Sequence, residues 1–316
     1  MKIAYLMQVH RNPRLLQRAV QMLSLENCAF FVHVDRKSDI GPFSAINGHN
    51  VSLVERRIPV YWGEFSQVEA TMLLLREALA SPAQYDYFVF LQGSDYPLRS
   101  SRYIQGFLEK HRGCEFINLA QMPAPGYSLS KINKLRYPSD KPVRRFATRV
   151  LAKCGFPERD YRKYLGGLEA YAGQAWWTLS RDASTYIVEF AACNPHVKEY
   201  FQNAFTSDEM FFHTILGNSR FRHRVRRGLT YIDWPAPGDH PEMLNAEHIK
   251  LFEAQDKVWI EDEWGSGEAL FARKFSDENL ELVDRIDEII RQKEEASAHF
   301  QASIPNSADS QRASKT

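Results

Sequence analysis

Strand and helix patterns alternate along the first third of the chain, and this alternation limits the possible folds more than any other feature. Apolar runs with the length of buried strands occur at residues 3–9, 29–34, 51–54 and 85–91. Segments with helical spacing of apolar residues occur at residues 13–25, 65–80 and 101–110. Because such alternation builds parallel sheets covered on both sides, we predict an α/β fold with a mostly parallel, twisted sheet and helices on both faces. Asn12 is the expected N-cap of the first helix.

The domain organisation follows from length and composition. A chain of 316 residues fits one large domain. We predict a single domain over residues 1–295, with a nucleotide-binding half over approximately 1–120 and a second half over approximately 121–295. An acidic amphipathic helix is expected at 277–295. The final segment, 296–316, is rich in Ser, Ala, Asn and Gln and is expected to be a disordered tail.

Charge and cysteine content argue against several classes of protein. The net charge of +1 gives no reason to expect nucleic-acid binding. No two of the four cysteines have the C-x-x-C spacing of zinc or redox motifs. No apolar run approaches the roughly 20 residues that span a bilayer, so we expect a cytoplasmic protein. A basic segment contacts anionic lipid at the inner membrane or a charged acceptor, or it forms a solvated face. Its cations are Arg144, Arg145, Arg149 and Lys153.

Polar residues follow three of the predicted strands. His10 and Asp35 come directly after the first two, and Asp95 lies in the turn after the strand at 85–91. Ligands of open α/β sheets bind at the carboxyl ends of the strands. Asp35 can accept hydrogen bonds from a ribose or a base, or it can pair with the cations that follow it. Asp95 is expected to be functional, because loops at strand ends often carry function.

Two aromatic patches are candidate contacts for a sugar or a nucleotide. Trp62 precedes Gly63, which lets a ligand approach the backbone beside an aromatic face; alternatively, Trp62 packs in the core and Gly63 forms a turn. Trp176 and Trp177 are expected in a strand over 174–179, where successive side chains point to opposite faces. At most one of these two tryptophans can therefore face a ligand.

Two adjacent carboxylates, Asp208 and Glu209, precede the apolar residues 210–212. We expect Ser207 or Asp208 to cap a helix that holds Glu209 in its first turn, near unpaired backbone N–H groups. Glu209 is then a candidate general base. Alternatively, both acids only complement the helix dipole.

Arg273 and Lys274 adjoin one another within the apolar segment 270–275. Buried cations need anionic partners, and these two side chains suit a diphosphate, or they pair with the acids at 261–263. The chain contains no Asp-x-Asp, the motif with which many nucleotide-sugar transferases hold a divalent metal. Side-chain cations would therefore replace a metal on any bound diphosphate, and neither a metal site nor a cofactor is expected. Phosphate-loop, dinucleotide-binding, esterase and zinc-protease motifs are also missing.

Taken together and in this order, these segments resemble the core-2/I-branching β-1,6-N-acetylglucosaminyltransferases and their peptide O-xylosyltransferase relatives, which form glycosyltransferase family 14. The resemblance covers approximately residues 1–276. The segments that carry it are His10, His33-Val34-Asp35, Trp62-Gly63, Ser94-Asp95-Tyr96-Pro97, the Gly-x-x-Trp pattern at 173–176, Ser207 to Phe212, Asp239-His240-Pro241, and Leu270 to Phe275.

The resemblance implies a GT-A-like fold and an inverting, metal-independent transfer from a UDP-sugar to a hydroxyl of a glycan or glycolipid acceptor. UDP-xylose and UDP-N-acetylglucosamine are the expected donors, and Glu209 is the implied general base. The implied donor-binding residues are His10, Asp35, Trp62, Gly63, Arg273 and Lys274. The residues implied near the transferred sugar or the acceptor are Asp95, Tyr96, Trp176, Trp177 and Asp208.

Compared with the animal members of the family, we expect this chain to lack a membrane anchor and a stem, and it has four cysteines where they have many. A compact form of this kind fits bacterial surface-polysaccharide synthesis on the cytoplasmic side of the membrane. An inactive nucleotide-sugar-binding or glycan-binding protein with the same fold is the alternative.

Overall fold

The structure is a computed structural model that describes residues 1–46, 50–139, 158–234 and 241–303, together with Val143, Phe146 and Val150. The cations of the basic segment at 144–153 lie outside the described residues. So do residues 304–316 of the predicted tail and two residues of the motif at 239–241.

Seven of the described strands form the central sheet, in the order β10-β6-β9-β4-β1-β2-β3. The strands are β1 (Ile3–Val9), β2 (Cys28–Val34), β3 (Val51–Leu53), β4 (Tyr87–Gln92), β5 (Asp95–Pro97), β6 (Glu115–Ile117), β7 (Ala120–Gln121), β8 (Tyr171–Ala172), β9 (Trp177–Ser180), β10 (Val225–Arg226), β11 (Thr230–Ile232), β12 (Trp259–Asp262), β13 (Gly265–Glu268) and β14 (Phe271–Arg273). Within the central sheet, β9 runs antiparallel to its neighbours β4 and β6, and the other neighbouring strands pair in parallel. The sheet is therefore mostly parallel, as predicted.

Helices cover both faces of this sheet. They are α1 (Pro13–Leu23), α2 (Gly41–Ser44), α3 (Phe65–Ala80), α4 (Ser101–Lys110), α5 (Leu129–Asn133), α6 (Tyr161–Tyr164), α7 (Arg181–Cys193), α8 (Pro195–Phe201), α9 (Phe211–Gly217), α10 (Ala246–Ala254) and α11 (Leu280–Ser303), with 3₁₀ turns at Ser207–Glu209 and Arg222–Arg224. One apolar cluster joins Tyr5 and Phe30 to α1, α4 and α11, and the other joins Leu6 and Phe88 to α3, α7 and α9. Alternate side chains of the strands thus enter two cores, as expected for strands buried on both faces. None of the helices described is both long enough and apolar enough to cross a membrane.

Predicted and observed boundaries agree best where the local signal is strong. β1 and α3 begin and end at the predicted residues, and β4 lies at the centre of the sheet, as predicted. β9 begins at Trp177, three residues later than predicted. The last helix continues to Ser303, past the predicted end at residue 295, because alanines at 296 and 298 are strong helix formers.

A second, three-stranded sheet brings distant segments together at the carboxyl edge of the central sheet. Its order is β11-β14-β5, with β14 parallel to β11 and antiparallel to β5. In this register Arg273 of β14 lies opposite Asp95 of β5. Asp95 and Arg273, which lie in separate segments of the sequence, are therefore direct neighbours in the fold.

The start of α1 is held by a residue from the far end of the domain. Asn12 occupies the N-cap position as predicted, but its side chain does not cap the helix, and its amide donates instead to the carbonyl of Gly93 at 2.9 Å. Oδ1 of Asp277 accepts the backbone N–H of Leu15 at 2.7 Å. The cap thus joins the loop after β1 to the segment that follows β14.

Candidate active site

The ends of β1, β2 and β4 form the floor of the candidate site. Because these strands are neighbours in the sheet, His10, Asp35 and the turn at 93–95 lie side by side. The hydroxyl of Ser38 donates to the carbonyl of His10 at 2.9 Å, which ties the first two ends together. The structure thus brings these predicted residues to one edge.

Asp35 organises the loop after β2. Its Oδ1 accepts the backbone N–H groups of Lys37 at 2.9 Å and Val60 at 3.2 Å, and its Oδ2 lies 3.5 Å from the Lys37 ammonium. The carboxylate is buried and ordered, with Oδ2 as the less committed acceptor. Pairing with a following cation, which the sequence left open, is present in the structure.

Gly63 forms a tight turn against the segment that carries the acids. Its φ is +66°, and a Cβ at this position would lie 2.6 Å from the ring of Phe205. Its carbonyl accepts the N–H of Thr206 at 2.9 Å, and its own N–H donates to Oε1 of Gln67 at 2.8 Å. Trp62 is 58% exposed and meets the ring of Phe205 edge-on, so it lies at the surface and not in the core.

Glu209 lies in a 3₁₀ turn that precedes α9, so the predicted first helical turn at this residue is wrong. Ser207 does not cap a helix, because its hydroxyl donates to the carbonyls of Phe201 and Ala204. Thr206 enters the turn with a φ of +54°, and α9 begins only at Phe211. The acids are therefore placed by a turn pinned to Gly63, and no helix start orients them.

The environment of Asp208 and Glu209 favours their protonated forms. Burial raises the pKa of Glu209, and the neighbouring Asp208 carboxylate raises it further, while Lys131 acts in the opposite direction. The ammonium of Lys131 lies 3.9 Å from Oε2 of Glu209. Burial also raises the pKa of Asp208, whose Oδ2 accepts from the amide of Gln67 at 2.8 Å. A carboxylate with a raised pKa beside a cation has the character of a general base.

Arg273 is held in a buried ion pair. Its guanidinium lies 3.0 Å from Oδ1 of Asp95 and donates to Oε1 of Gln92 at 2.8 Å. Oδ2 of Asp95 accepts the backbone N–H of Gln92 at 2.7 Å. The alternative pairing with the acids at 261–263 is wrong: within that segment, Asp262 pairs with Arg227. Asp95 therefore orients Arg273 at the edge of the sheet.

Lys274 completes a cationic cluster next to this pair. Its ammonium is only half-buried and has no carboxylate partner among the described residues. Burial, followed by the charges of Arg11 and Arg273, lowers the pKa of Lys274. His10 belongs to the same electrostatic neighbourhood, because the charges of Arg11 and Lys274 both lower its pKa after burial has done so. The cluster of Arg11, Arg273 and Lys274 can receive a polyanion such as a diphosphate.

Arg11 is a site residue that sequence reasoning missed. It follows His10 at the end of β1, and its residue type alone does not distinguish it from other exposed arginines. Its position beside Lys274 arises only when β14 joins the sheet edge. The signal that could have found it is its place directly after a central strand.

The segment from Gly173 to Trp176 connects the acids with the cations. The N–H of Gly173 donates to the carbonyl of Glu209 at 3.0 Å, and the ring of Trp176 lies 3.9 Å from the guanidinium carbon of Arg273. Three residues span at most about 11 Å. Gly173 is packed so tightly that a Cβ would lie 1.7 Å from the carbonyl oxygen of Asn118.

Two predicted site residues lie elsewhere. Tyr96 is fully buried, and its hydroxyl donates to Asp287 at 2.7 Å, on the side of α11. Trp177 is 2% exposed and stacks on Phe90 in the core. The alternation of side chains along a strand explains both, because Asp95 and Trp176 point to the site and their successors point away from it.

In the part of the chain that the structure describes, no group of three or more His, Cys, Asp or Glu side chains is arranged to hold a metal ion.

Comparison with known proteins places the chain in a family. The family model named Core-2/I-Branching enzyme matches residues 3–256. Xylosyltransferase 2 of Homo sapiens is 26% identical over 228 residues, which cover 69% of this chain and 25% of that protein. Xylosyltransferase 1 of Rattus norvegicus is 25% identical over 228 residues, which cover 69% of this chain and 26% of that protein. Beta-glucuronosyltransferase GlcAT14A of Arabidopsis thaliana is 28% identical over 294 residues, which cover 86% of this chain and 60% of that protein.

The match spans most of this chain, although the aligned part is about a quarter of the length of the xylosyltransferases. The resemblance inferred from the sequence is confirmed. The chain belongs to the Core-2/I-Branching enzyme family of glycosyltransferases.

Proposed function

We propose that this protein is an inverting, metal-independent glycosyltransferase that moves a sugar from a UDP-sugar to a hydroxyl of a glycan acceptor. The observation that carries the proposal is the connection of Glu209 to the cationic cluster through the short segment from Gly173 to Trp176. A base and an anion-binding group that are tied to the same short segment of chain can act on the two sides of one sugar. The base then acts on the attacking hydroxyl, and the cations act on the departing diphosphate.

Glu209 acts as the general base in this proposal. It takes the proton of the acceptor hydroxyl while that oxygen attacks the anomeric carbon from the face opposite UDP. The bond from the anomeric carbon to the β-phosphate oxygen breaks, and the configuration at that carbon inverts. Base assistance of this kind contributes about 10²–10⁴-fold to a rate.

The cationic cluster receives the leaving group. Negative charge grows on the diphosphate as the glycosidic bond breaks, and preorganised cations stabilise that charge without reorganisation. Lys274 is the cation best able to respond, because it lacks a described carboxylate partner, whereas Asp95 already orients Arg273. Asp35 is the proposed contact for the nucleoside.

The identities of the donor sugar and of the acceptor are also part of this proposal. Xylose, N-acetylglucosamine and glucuronic acid are the donor sugars to compare, since they differ by single substituents that the shape of a pocket distinguishes. A glycan acceptor in surface-polysaccharide synthesis is the proposed biological context.

A panel of UDP-sugars tests the proposal. Thermal stabilisation identifies the donor, and UDP release with an oligosaccharide acceptor is then measured in excess EDTA. We expect full turnover in EDTA and an inverted anomeric configuration in the product. A requirement for manganese would contradict the role given to the cations, and stabilisation without turnover would favour an inactive binding protein.

Lys274→Gln serves as the matched variant in this assay. Loss of a cation from the leaving-group site should lower kcat, because the charge of the diphosphate is greatest in the transition state. Lys110→Gln, an exposed lysine in α4, is the control and should leave turnover unchanged.

A further inference from the structure

A second concave site, the arginine pocket, is lined by residues other than those of the candidate active site. It encloses about 300 Å³ between the loop after β3, α3 and the helices α7 and α8. Its cationic lining consists of Arg36, Arg56, Arg57, Arg76 and Lys198. Its apolar floor includes Phe65, Met72 and Phe211.

The charges of the arginine pocket are not balanced by acids. Glu69 is the carboxylate of its lining, and it lies 3.4 Å from the ammonium of Lys198. Among the described residues, no carboxylate lies within ion-pair distance of Arg36, Arg56 or Arg76. The four guanidinium groups therefore share the pocket without a described counter-charge.

Arg57 shows that the pocket is built and not merely a set of mobile surface cations. Its Nε donates to the carbonyl of Val34 at 3.0 Å, and its Nη2 donates to the carbonyls of Asp35, at 2.8 Å, and Ser38. Backbone carbonyls fix the orientation of the guanidinium but carry no net charge. Its positive charge is therefore held at the wall of the pocket without a carboxylate partner among the described residues.

Clustered like charges repel one another and so disfavour the folded state. An oxyanion relieves this repulsion, and the planar guanidinium group matches phosphate and sulfate with paired hydrogen bonds. The volume is at the small end of the range for ligand pockets, which is about 300–1,000 Å³. It suits one anionic group with a sugar-sized attachment.

We infer that the arginine pocket binds a phosphate or sulfate group of a ligand other than the sugar donor. Three lining residues, Arg36, Phe65 and Phe211, lie one or two positions along the chain from Asp35, Gly63 and Glu209, but those site residues do not line the pocket. The inference does not depend on the catalytic proposal, because it rests on the geometry and charge of a different pocket.

Calorimetric titration tests the arginine pocket with two probes, inorganic phosphate and glucose 6-phosphate. The wild type is compared with Arg56→Gln/Arg76→Gln, which removes two exposed cations of the lining. The control is Arg102→Gln/Arg222→Gln, which removes two exposed arginines elsewhere. Hydrogen bonds to charged groups contribute about 1.5–3 kcal/mol, so we expect binding at least about tenfold weaker in the pocket variant and unchanged in the control.

The same titrations are run with and without UDP. Unchanged binding in the presence of UDP supports a separate site, whereas competition with UDP, or equal affinity of the pocket variant and the wild type, overturns the inference. Tighter binding of glucose 6-phosphate than of phosphate assigns the pocket to a phosphorylated sugar, and equal binding assigns it to free phosphate. Failure of UDP to bind at all would count against the proposed function and not against this pocket.

Discussion

Glu209 and Asp208 hold their protons more firmly than isolated carboxylic acids do. Their side chains are adjacent in a half-buried turn, and the charge of one disfavours ionisation of the other. Lys131 keeps an ionised form of the pair accessible. A base with a raised pKa accepts a proton from an alcohol more readily than a solvated glutamate does.

Asp208→Asn tests this coupling. Removing the neighbouring negative charge lowers the pKa of Glu209, and the base must be ionised to act. The acid limb of kcat/KM should therefore move to lower pH, while Asn can still accept from the amide of Gln67. The measurement is a pH profile of sugar transfer, with Asp208→Glu as the control that keeps the charge. An acid limb at the same pH in Asp208→Asn would show that the two acids do not interact.

Asp95→Asn tests the buried ion pair. The substitution leaves the Arg273 guanidinium buried without its carboxylate, and breaking a buried pair in this way costs about 3–5 kcal/mol. Denaturant unfolding should therefore show a large loss of stability. Asp284→Asn is the control, because Asp284 is 63% exposed in its contact with Arg18, and exposed pairs contribute about 0–1 kcal/mol. Equal stability of Asp95→Asn and the wild type would mean that Asp95 does not orient Arg273.

Residue types and strand ends predicted Asp35, Asp95 and Glu209 as functional candidates, and the structure brings the first two to one edge of the sheet. The sequence could not predict the pairing of Asp95 with Arg273, because it depends on β5 and β14 meeting in a second sheet. Asp95, which the resemblance implied near the transferred sugar or the acceptor, is thus the ion-pair partner of the predicted diphosphate cation Arg273.

Secondary-structure elements were predictable where the signal is local. The apolar spacing over Phe65–Ala80 predicts α3 to the residue, and the continuous apolar run predicts β1. The turn at Ser207–Glu209 was not predictable, since the Gly63 carbonyl that holds Thr206 comes from a distant segment. An N-cap residue followed by acids is compatible with a helix until that contact is known.

Gly173→Ala tests the contact between β8, β9 and the acid turn. The added methyl group would lie 1.7 Å from the Asn118 carbonyl oxygen, so the backbone must move and the hydrogen bond to Glu209 is strained. Overpacking of this kind costs about 1–3 kcal/mol or more, and transfer activity should fall with it. Thermal unfolding and turnover measure the two effects. Gly106→Ala in α4, where nothing lies within 4 Å, is the control; a similar loss in both variants would contradict the account.

Asp277→Ala tests the remote cap of α1. Loss of the acceptor for the Leu15 N–H should destabilise the protein by about 0.5–2 kcal/mol, the usual range for a helix cap. Glu278→Ala, at the exposed neighbouring position, is the control and should change the free energy of unfolding far less. If both variants unfold at the same denaturant concentration as the wild type, Asp277 does not cap the helix.

At the scale of the whole molecule, the alternating patterns were enough to predict the α/β class, the mostly parallel sheet and its covered faces. They could not predict the three-stranded sheet β11-β14-β5, because each of its strands is only three residues long and carries little periodic signal. This small sheet is what carries the Arg273-Lys274 segment to the carboxyl edge of the central sheet. The arrangement of the site is thus a property of the tertiary fold and not of any one motif.

The central claim is that Glu209 activates the acceptor while side-chain cations receive the diphosphate. Glu209→Gln tests it most directly, through the rate of sugar transfer at saturating donor and acceptor, with UDP affinity measured in parallel. We predict a fall in rate of about 10²–10⁴-fold with UDP affinity unchanged, because the amide cannot accept the proton and the cations assigned to the diphosphate are left intact. A variant that transfers sugar at the rate of the wild type would contradict the account.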